Sequence, residues 1–511
     1  MKKIWKALLV ALIAVFCFSL VSCKGQKEVK VLKDILLTEE DYAFAIDKDN
    51  VELKTEVNQM IAEMKIDGSL ERLVNSYFDD TATFTYVNKT TNPATGDFVM
   101  ATNAAFPPFE YKEGNAFKGV DVEFAYLIAQ RLGRNLFVYD MEFTAIIPSV
   151  DNRESDIGMA GMTVTEERLK TVDFAASYYT SAQVLTVLAD DTTFDECETV
   201  EDVEAILKTK GSSYVIGTQA GTTGYYYSKG DADFDFDGFP NLTTSDYTTG
   251  ALAITDLRNG RINAVILDLQ PSLSIARGFG GMSKTQIFYR QFITLDGYKV
   301  FLTGLQHTLT IAVVGLLIGF LIGCLIATVK LIPSKNPAMK GAKWLCDLYV
   351  ALFRGTPMVV QLLLMHFALF PMLGIRISSV LEAVLIFGMN SGAYMAEILR
   401  GGINAVDKGQ MEAGRSLGFG FGQTMFRIVL PQAIKNILPT LGNEFIALIK
   451  ETSVVSFIAV VDVTKAFQNI GNATYEFFVP YIALAIVYLV LVFGISKLVK
   501  FMEKRLAKNE R

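Results

Sequence analysis

Past residue 300 the chain carries five long apolar segments, at roughly 302–329, 346–372, 380–399, 434–461 and 478–499. About 20 apolar residues in a helix cross a hydrocarbon core about 30 Å thick, so each segment can span a membrane. The fourth is the weakest, because it includes Glu444, Lys450 and Glu451. Charge divides the chain at the same place. Residues 301–511 hold 19 Lys+Arg against 11 Asp+Glu, whereas the first 300 hold 28 against 43. An acidic part of ordinary composition thus precedes a basic, apolar one, and the acidic part is unsuited to nucleic acid.

Basic loops stay on the cytoplasmic side of a membrane. The loop "KLIPSKNPAMKGAK" after the first span carries Lys330, Lys335, Lys340 and Lys343, and the tail "KLVKFMEKRLAKNER" is also basic. With the acidic part outside, five spans place both segments, and the polar loop 402–432, in the cytoplasm. The N-terminus, "MKKIWKALLVALIAVFCFSLVSC", has lysines, an apolar run and then "LVSC", the layout of a secretory signal. An uncleaved anchor helix fits the same residues, and both readings put the acidic part outside. Cys17 and Cys23 lie in this N-terminal apolar stretch and Cys324 and Cys346 in or beside the C-terminal ones, so beyond the N-terminal stretch the acidic part holds only Cys197, which excludes a disulfide framework there. Both histidines, His307 and His366, lie in the apolar half, so no His-rich metal site is expected, and no cofactor.

Within the acidic part, residues 97–290 alternate strand and helix patterns, which implies an open α/β sheet. Ligands of such sheets sit at the carboxyl ends of the strands. The loop "NAAFPPFE" and the segment "AGMTVTEER" each follow an expected strand. Ahead of them, residues 40–78 read as a short apolar strand at Tyr42–Ile46, then a helix from about Val51 to Lys65 with Leu53, Val57, Met60, Ile61 and Met64 at helical spacing. Gly68 stops that helix, and Ser69 is placed to cap a shorter one through Leu73 and Tyr77. Residues 79–96, rich in Thr and Asn, read as a linker.

Three resemblances follow from quoted motifs. In "AVDKGQMEAGRSLGFGFGQTMFRIVLPQAIK", the residues Glu412, Ala413, Gly414, Gly418, Ile428, Leu430 and Pro431 resemble the "EAA" loop of bacterial ATP-binding-cassette importer permeases. "FRGTP" and "KETSVVSFIAV" resemble the polar amino-acid branch of that family. The family usually has Ala where this chain has Gly414. The resemblance implies an all-α transmembrane domain over 298–511, working as a homodimer, whose loop docks on a separate ATPase subunit. No GxxxxGK[ST] phosphate loop occurs in the sequence, so this chain is expected to be a transport subunit and not an enzyme. The N-terminus is similar to a lipoprotein signal, which implies a signal peptide over 1–23 and lipidation at Cys23.

"FPPFEY", "GMTVTEER" and "VDFAASYY" resemble the type II solute-binding proteins of polar amino-acid importers, which have a two-lobed α/β fold. A zwitterion's carboxylate suits a bidentate arginine. Arg168 stands at the family's carboxylate-binding position, beside Gly161 and Thr163; Asp268 matches the ammonium-binding aspartate. The resemblance also makes Phe106 and Phe143 the pair flanking the ligand side chain. It makes Thr222 and Thr223 the second lobe's closing loop, and Asn103 and Gln219 the residues that meet the ligand's polar end. In this family the chain returns to finish its first lobe after building the second, a return that residues 97–290 lack and residues 24–78 resemble. A circularly permuted binding domain is therefore expected, with Tyr42–Ile46 beside the strand near Val184–Leu188. The expected function is capture of a polar amino acid outside the cytoplasmic membrane and its import. The alternative is a ligand-gated channel with an amino-acid-binding ectodomain.

Overall fold

The computed structural model describes residues 27–508 except 91, 233–235, 279–283, 333–335 and 376. The expected signal segment 1–23, with Cys23, lies outside the described residues. The chain forms two compact units: one of residues up to Tyr42 with Tyr179–Gly280, the other of Ala43–Tyr178 with Gly281–Arg511.

The first unit is built on a five-stranded sheet in the order Val29–Val31, Gln183–Leu188, Ala264–Asp268, Val215–Gln219, Thr243–Tyr247. The last three run parallel and the first two antiparallel to their neighbours. Ala264–Asp268 is buried at every position, as a central strand covered on both faces should be. Helices Val200–Thr209, Thr223–Lys229, Gly250–Arg258 and Leu269–Gly278 connect and flank the strands. The first of these is closed by a reciprocal cap between Thr199 and Asp202. Leu185, Val187, Val203, Leu207, Ile216 and Ile266 form its core together with Ile35 and Leu37 from the N-terminal segment.

The second unit contains an α/β lobe and the membrane helices. The lobe's sheet runs Asp173–Phe174, Ala45–Ile46, Ile157–Gly158, Phe98–Thr102, Leu136–Asp140. Ala45–Ile46 is inserted antiparallel between Asp173–Phe174 and Ile157–Gly158. Residues from before the linker thus form an inner strand of a sheet otherwise made after it. Helix Val51–Ile66 buries Leu53, Val57, Met60, Ile61 and Met64, the five positions that its spacing singles out. It is held to the lobe by Lys54–Asp173 and by Arg131, which meets both Glu56 and Glu63.

Three local expectations are corrected. Tyr42–Ile46 is not one strand beside Val184–Leu188. Glu40–Tyr42 pairs with Tyr179–Ser181, Ala45–Ile46 pairs as above, and Gln183–Leu188 takes Val29–Val31 and Ala264–Asp268 as neighbours. The break falls where Phe44 is fully buried, stacked on Tyr178 and edge-on to Phe124, so its packing interrupts the ladder. Ser69 is not the cap but the first helical residue; its N–H is taken by the Asp67 carboxylate at 2.7 Å, and Gly68 supplies the left-handed turn at φ +70°. Segment 346–372 is two helices, Pro337–Gly355 and Met358–Met372, bent by 107°. Pro357 has no N–H to continue the helix and forces Thr356 into an extended conformation.

Three described helices are long and apolar enough to cross a membrane, Gly297–Leu331, Ser379–Asn404 and Phe478–Met502, and the bent pair makes a fourth if it is one span. Leu430–Glu451 falls outside that set and does not continue to residue 461, giving way to a 3₁₀ turn at Thr452–Ile458. Gly297–Leu331 and Ser379–Asn404 pack with backbones nearly touching. Cβ atoms added at Gly319 and Gly323 would lie 2.7 and 2.4 Å from the Cβ atoms of Ser391 and Met395. Small residues that permit such an approach are how apolar helices associate in lipid, where water gives no driving force.

Candidate functional site

In the α/β lobe of the second unit, strand direction delivers the expected residues to one kind of place. Asn103 follows strand Phe98–Thr102, Phe143 follows Leu136–Asp140, and Gly161 and Thr163 follow Ile157–Gly158. All are carboxyl ends of parallel-paired strands. Asn103 is buried and donates from its amide to the Met141 carbonyl at 2.7 Å. Phe106 is buried in the hairpin Ala105–Glu113. Arg168 sits in the first turn of helix Glu166–Thr171, where a cation opposes the helix dipole. Its backbone N–H is capped by Thr165 Oγ1 at 3.2 Å, and the side chain turns away. The guanidinium donates to the Thr163 carbonyl at 2.6 Å and lies 5.4 Å from the centre of the Phe143 ring. A carbonyl and an aromatic face orient this cation.

Asp121, in the first turn of helix Val120–Arg131, is a residue that the sequence motifs did not single out. It is fully buried and organises the neighbouring loop, accepting from Tyr178 Oη at 2.6 Å and from the Gly161 N–H at 3.1 Å. Burial pushes its carboxyl up to about 7, against the lowering effect of those donors. The acidic first-turn position in "KGVDVEF" was the available signal.

In the first unit, Gln219 ends strand Val215–Gln219 and Asp268 ends Ala264–Asp268. Gln219 Oε1 accepts from the Gly250 N–H at 3.2 Å, and Thr222 Oγ1 donates to the Gln219 carbonyl at 2.8 Å. Thr222 is the N-cap residue of helix Thr223–Lys229, and both threonines are buried. Asp268 is 3% exposed and accepts from the Tyr42 hydroxyl, with Ser181 Oγ at 3.4 Å. Burial, and then the charge of Glu40, raise its carboxyl above the ordinary aspartate range. A carboxylate so placed gains from an arriving cation. Tyr42 and Glu40 are the neighbours that sequence reasoning missed, because they lie 226 and 228 positions from Asp268.

The 402–432 loop forms helix Lys408–Ser416, a left-handed turn at Gly418 (φ +88°), and a second helical turn from Phe421. Gly414 is buried, and a Cβ there would come 2.5 Å from Thr424 Cγ2, so this chain's glycine lets the two pieces close. Glu412 and Ala413 are exposed, as are Leu417 (76%) and Phe426 (72%).

A strand-end binding fold followed by membrane helices with a structured polar loop defines a solute-binding domain fused to a membrane permease. Residues 98–342 match the bacterial extracellular solute-binding proteins, family 3, and residues 315–508 match the binding-protein-dependent transport system inner membrane component. Among curated relatives, the arginine transport system permease protein ArtQ of Bacillus subtilis (strain 168) is 40% identical over 42% of this chain and 97% of its own length. A putative glutamine transport system permease protein GlnP of Rickettsia bellii (strain RML369-C) is 41% identical over 40% of this chain and 91% of its own. A solved arginine-bound ArgBP from T. maritima is 31% identical, covering 36% of this chain and 79% of that one, with a TM-score of 0.30. The chain belongs to the family of binding-protein-dependent transport system inner membrane components, with an extracellular-type solute-binding domain ahead of the permease. It is an inner-membrane protein, and the channel alternative finds no counterpart among these matches.

Proposed function

We propose that this chain captures a polar amino acid outside the cytoplasmic membrane and carries it inward as the fused binding and permease subunit of an ATP-driven importer. The observation that carries this reading is the joining, in one chain, of a solute-binding match to a permease match whose relatives are named for arginine and glutamine transport. Arg168 takes the ligand carboxylate and Asp268 its ammonium. Phe106 and Phe143 contact the side chain, Asn103 and Gln219 its polar end, and Gly161, Thr163, Thr222 and Thr223 supply further hydrogen bonds. The neutral amides favour a neutral polar side chain such as glutamine. The aromatic pair also suits a cationic one.

ATP hydrolysis belongs to a separate subunit that docks on the loop carrying Glu412, Ala413 and Gly418, with buried Gly414 holding the two pieces of that loop together. The exposed Leu417 and Phe426 support this, since large apolar side chains on a polar loop mark a contact surface. The permease works as a homodimer, and Cys23 carries a lipid. With its ATPase in proteoliposomes, the chain should take up a polar amino acid on ATP addition. Glu412→Lys should reduce uptake to background while leaving ligand affinity unchanged. Normal uptake by that variant would remove the loop as the coupling element, and absence of any amino-acid binding would remove the substrate class.

The binding domain is, in this reading, circularly permuted, its last elements moved ahead of residue 97. The inner-strand position of Ala45–Ile46 and the family match beginning at residue 98 support this. A chain starting at Asp97 loses that strand and the Leu53–Met64 face, and should be recovered aggregated. Recovery of a monodisperse, ligand-binding protein would leave residues 40–78 as a dispensable remnant.

A further inference from the structure

Within the second unit the α/β lobe rests on the membrane helices, and the seam between them is specific. Phe367 and Ala459 of the membrane part pack into the lobe's cluster of Met141, Ala145, Ile146 and Val150. Asn152 donates to the Phe367 carbonyl at 3.2 Å, and the hydroxyls of Tyr139 and Ser379 meet. At one edge Lys465 pairs with Glu142 at 3.0 Å. At the other, His366 is 5% exposed and stands between two carboxylates from different parts of the chain. Its Nδ1 bonds Glu382 Oε2 of helix Ser379–Asn404, and its Nε2 lies 3.1 Å from Glu154 Oε2 of the lobe.

A neutral imidazole has one N–H and one lone pair, so it can face only one carboxylate favourably. Two carboxylates on its two nitrogens require one further proton in the trio, whichever member carries it. We propose that seating of the binding lobe on the permease is proton-linked through this trio: bringing Glu154 onto His366 takes up a proton, so acid favours the seated lobe and alkali releases it. Among the described residues, the groups facing the ring are Glu154, Glu382 and the Phe367 ring, and Tyr139, its hydroxyl on Ser379, feels the charge of both carboxylates. Burial keeps the Tyr139 phenol protonated. Elsewhere on the seam, burial works against the charges of Lys465 and Asp140 but is outweighed. Glu142 and Asp140 hold Lys465 charged, and Lys112 with Lys465 hold Asp140 ionised, so neither titrates between pH 6 and 9.

The test uses the full chain in lipid nanodiscs, without ATPase, with spin labels replacing the exposed Ile66 and Leu417. Double electron–electron resonance then reports the seated fraction between pH 6 and 9. The seated-to-released ratio should fall up to tenfold per pH unit, the limit for one linked proton. Glu154→Gln removes the lobe's carboxylate without touching the His366–Glu382 bond and should give a flat profile. A flat profile in the unmodified chain, or an unchanged slope in Glu154→Gln, overturns the proposal. The readout needs no amino acid, so failure of the importer reading would leave it standing.

Discussion

Arg168→Ala abolishes measurable capture of free amino acids by the full-length protein in nanodiscs. The guanidinium is nearly buried and is held between the Thr163 carbonyl and the Phe143 ring. Removing one partner of a buried ion pair costs about 3–5 kcal/mol, chiefly because the partner is left desolvated and unpaired. At about 1.4 kcal/mol per decade this weakens binding by about two to three and a half orders of magnitude. Titration calorimetry across the common polar amino acids measures it. Arg168→Lys should recover part of the loss, since an ammonium keeps the charge but not the two-pronged geometry. Unchanged affinity in Arg168→Ala would place the carboxylate elsewhere.

Lys465→Met dislodges the α/β lobe from the membrane helices. Lys465 is 4% exposed, pairs with Glu142 at 3.0 Å and also offsets the charge of Asp140. Methionine fills a similar volume but leaves Glu142, itself 12% exposed, buried without its cation. The same cost of about 3–5 kcal/mol applies, now against seating of the lobe. The spin-label distance described above should shift wholly to the released population at every pH. Lys465→Arg, which keeps the charge, should leave most of the lobe seated. A seated fraction unaffected by Lys465→Met would show that the apolar contacts of Phe367 and Ala459 suffice.

Elements whose pattern is written in neighbouring residues were legible. The helix Val51–Ile66 buries the five side chains that a 3.6-residue period selects, because a surface helix has only one face to give to the core. The loop of Asn103 and the segment of Gly161 and Thr163 were expected to follow strands, and they follow Phe98–Thr102 and Ile157–Gly158. The helices Gly297–Leu331 and Phe478–Met502 follow from apolar length alone. Legibility failed where a single residue redirected the chain. Pro357 turns an expected span into a pair bent by 107°, and the burial of Phe44 splits one expected strand into two with different partners.

The sequence by itself determined the division into an acidic binding part and a basic membrane part, the periodic elements of each, and the motifs that name their chemistry. These depend on spacing and charge within a few tens of residues, which a chain displays before it folds. Only the tertiary structure decided that Ala45–Ile46 lies inside the lobe's sheet, that Tyr42 reaches Asp268, and that Glu154 and Glu382 converge on His366. Such contacts join residues up to 226 positions apart, and no local periodicity encodes them. They exist because closing those long loops, which costs little more than closing short ones, is repaid by burying sheets and helices against each other.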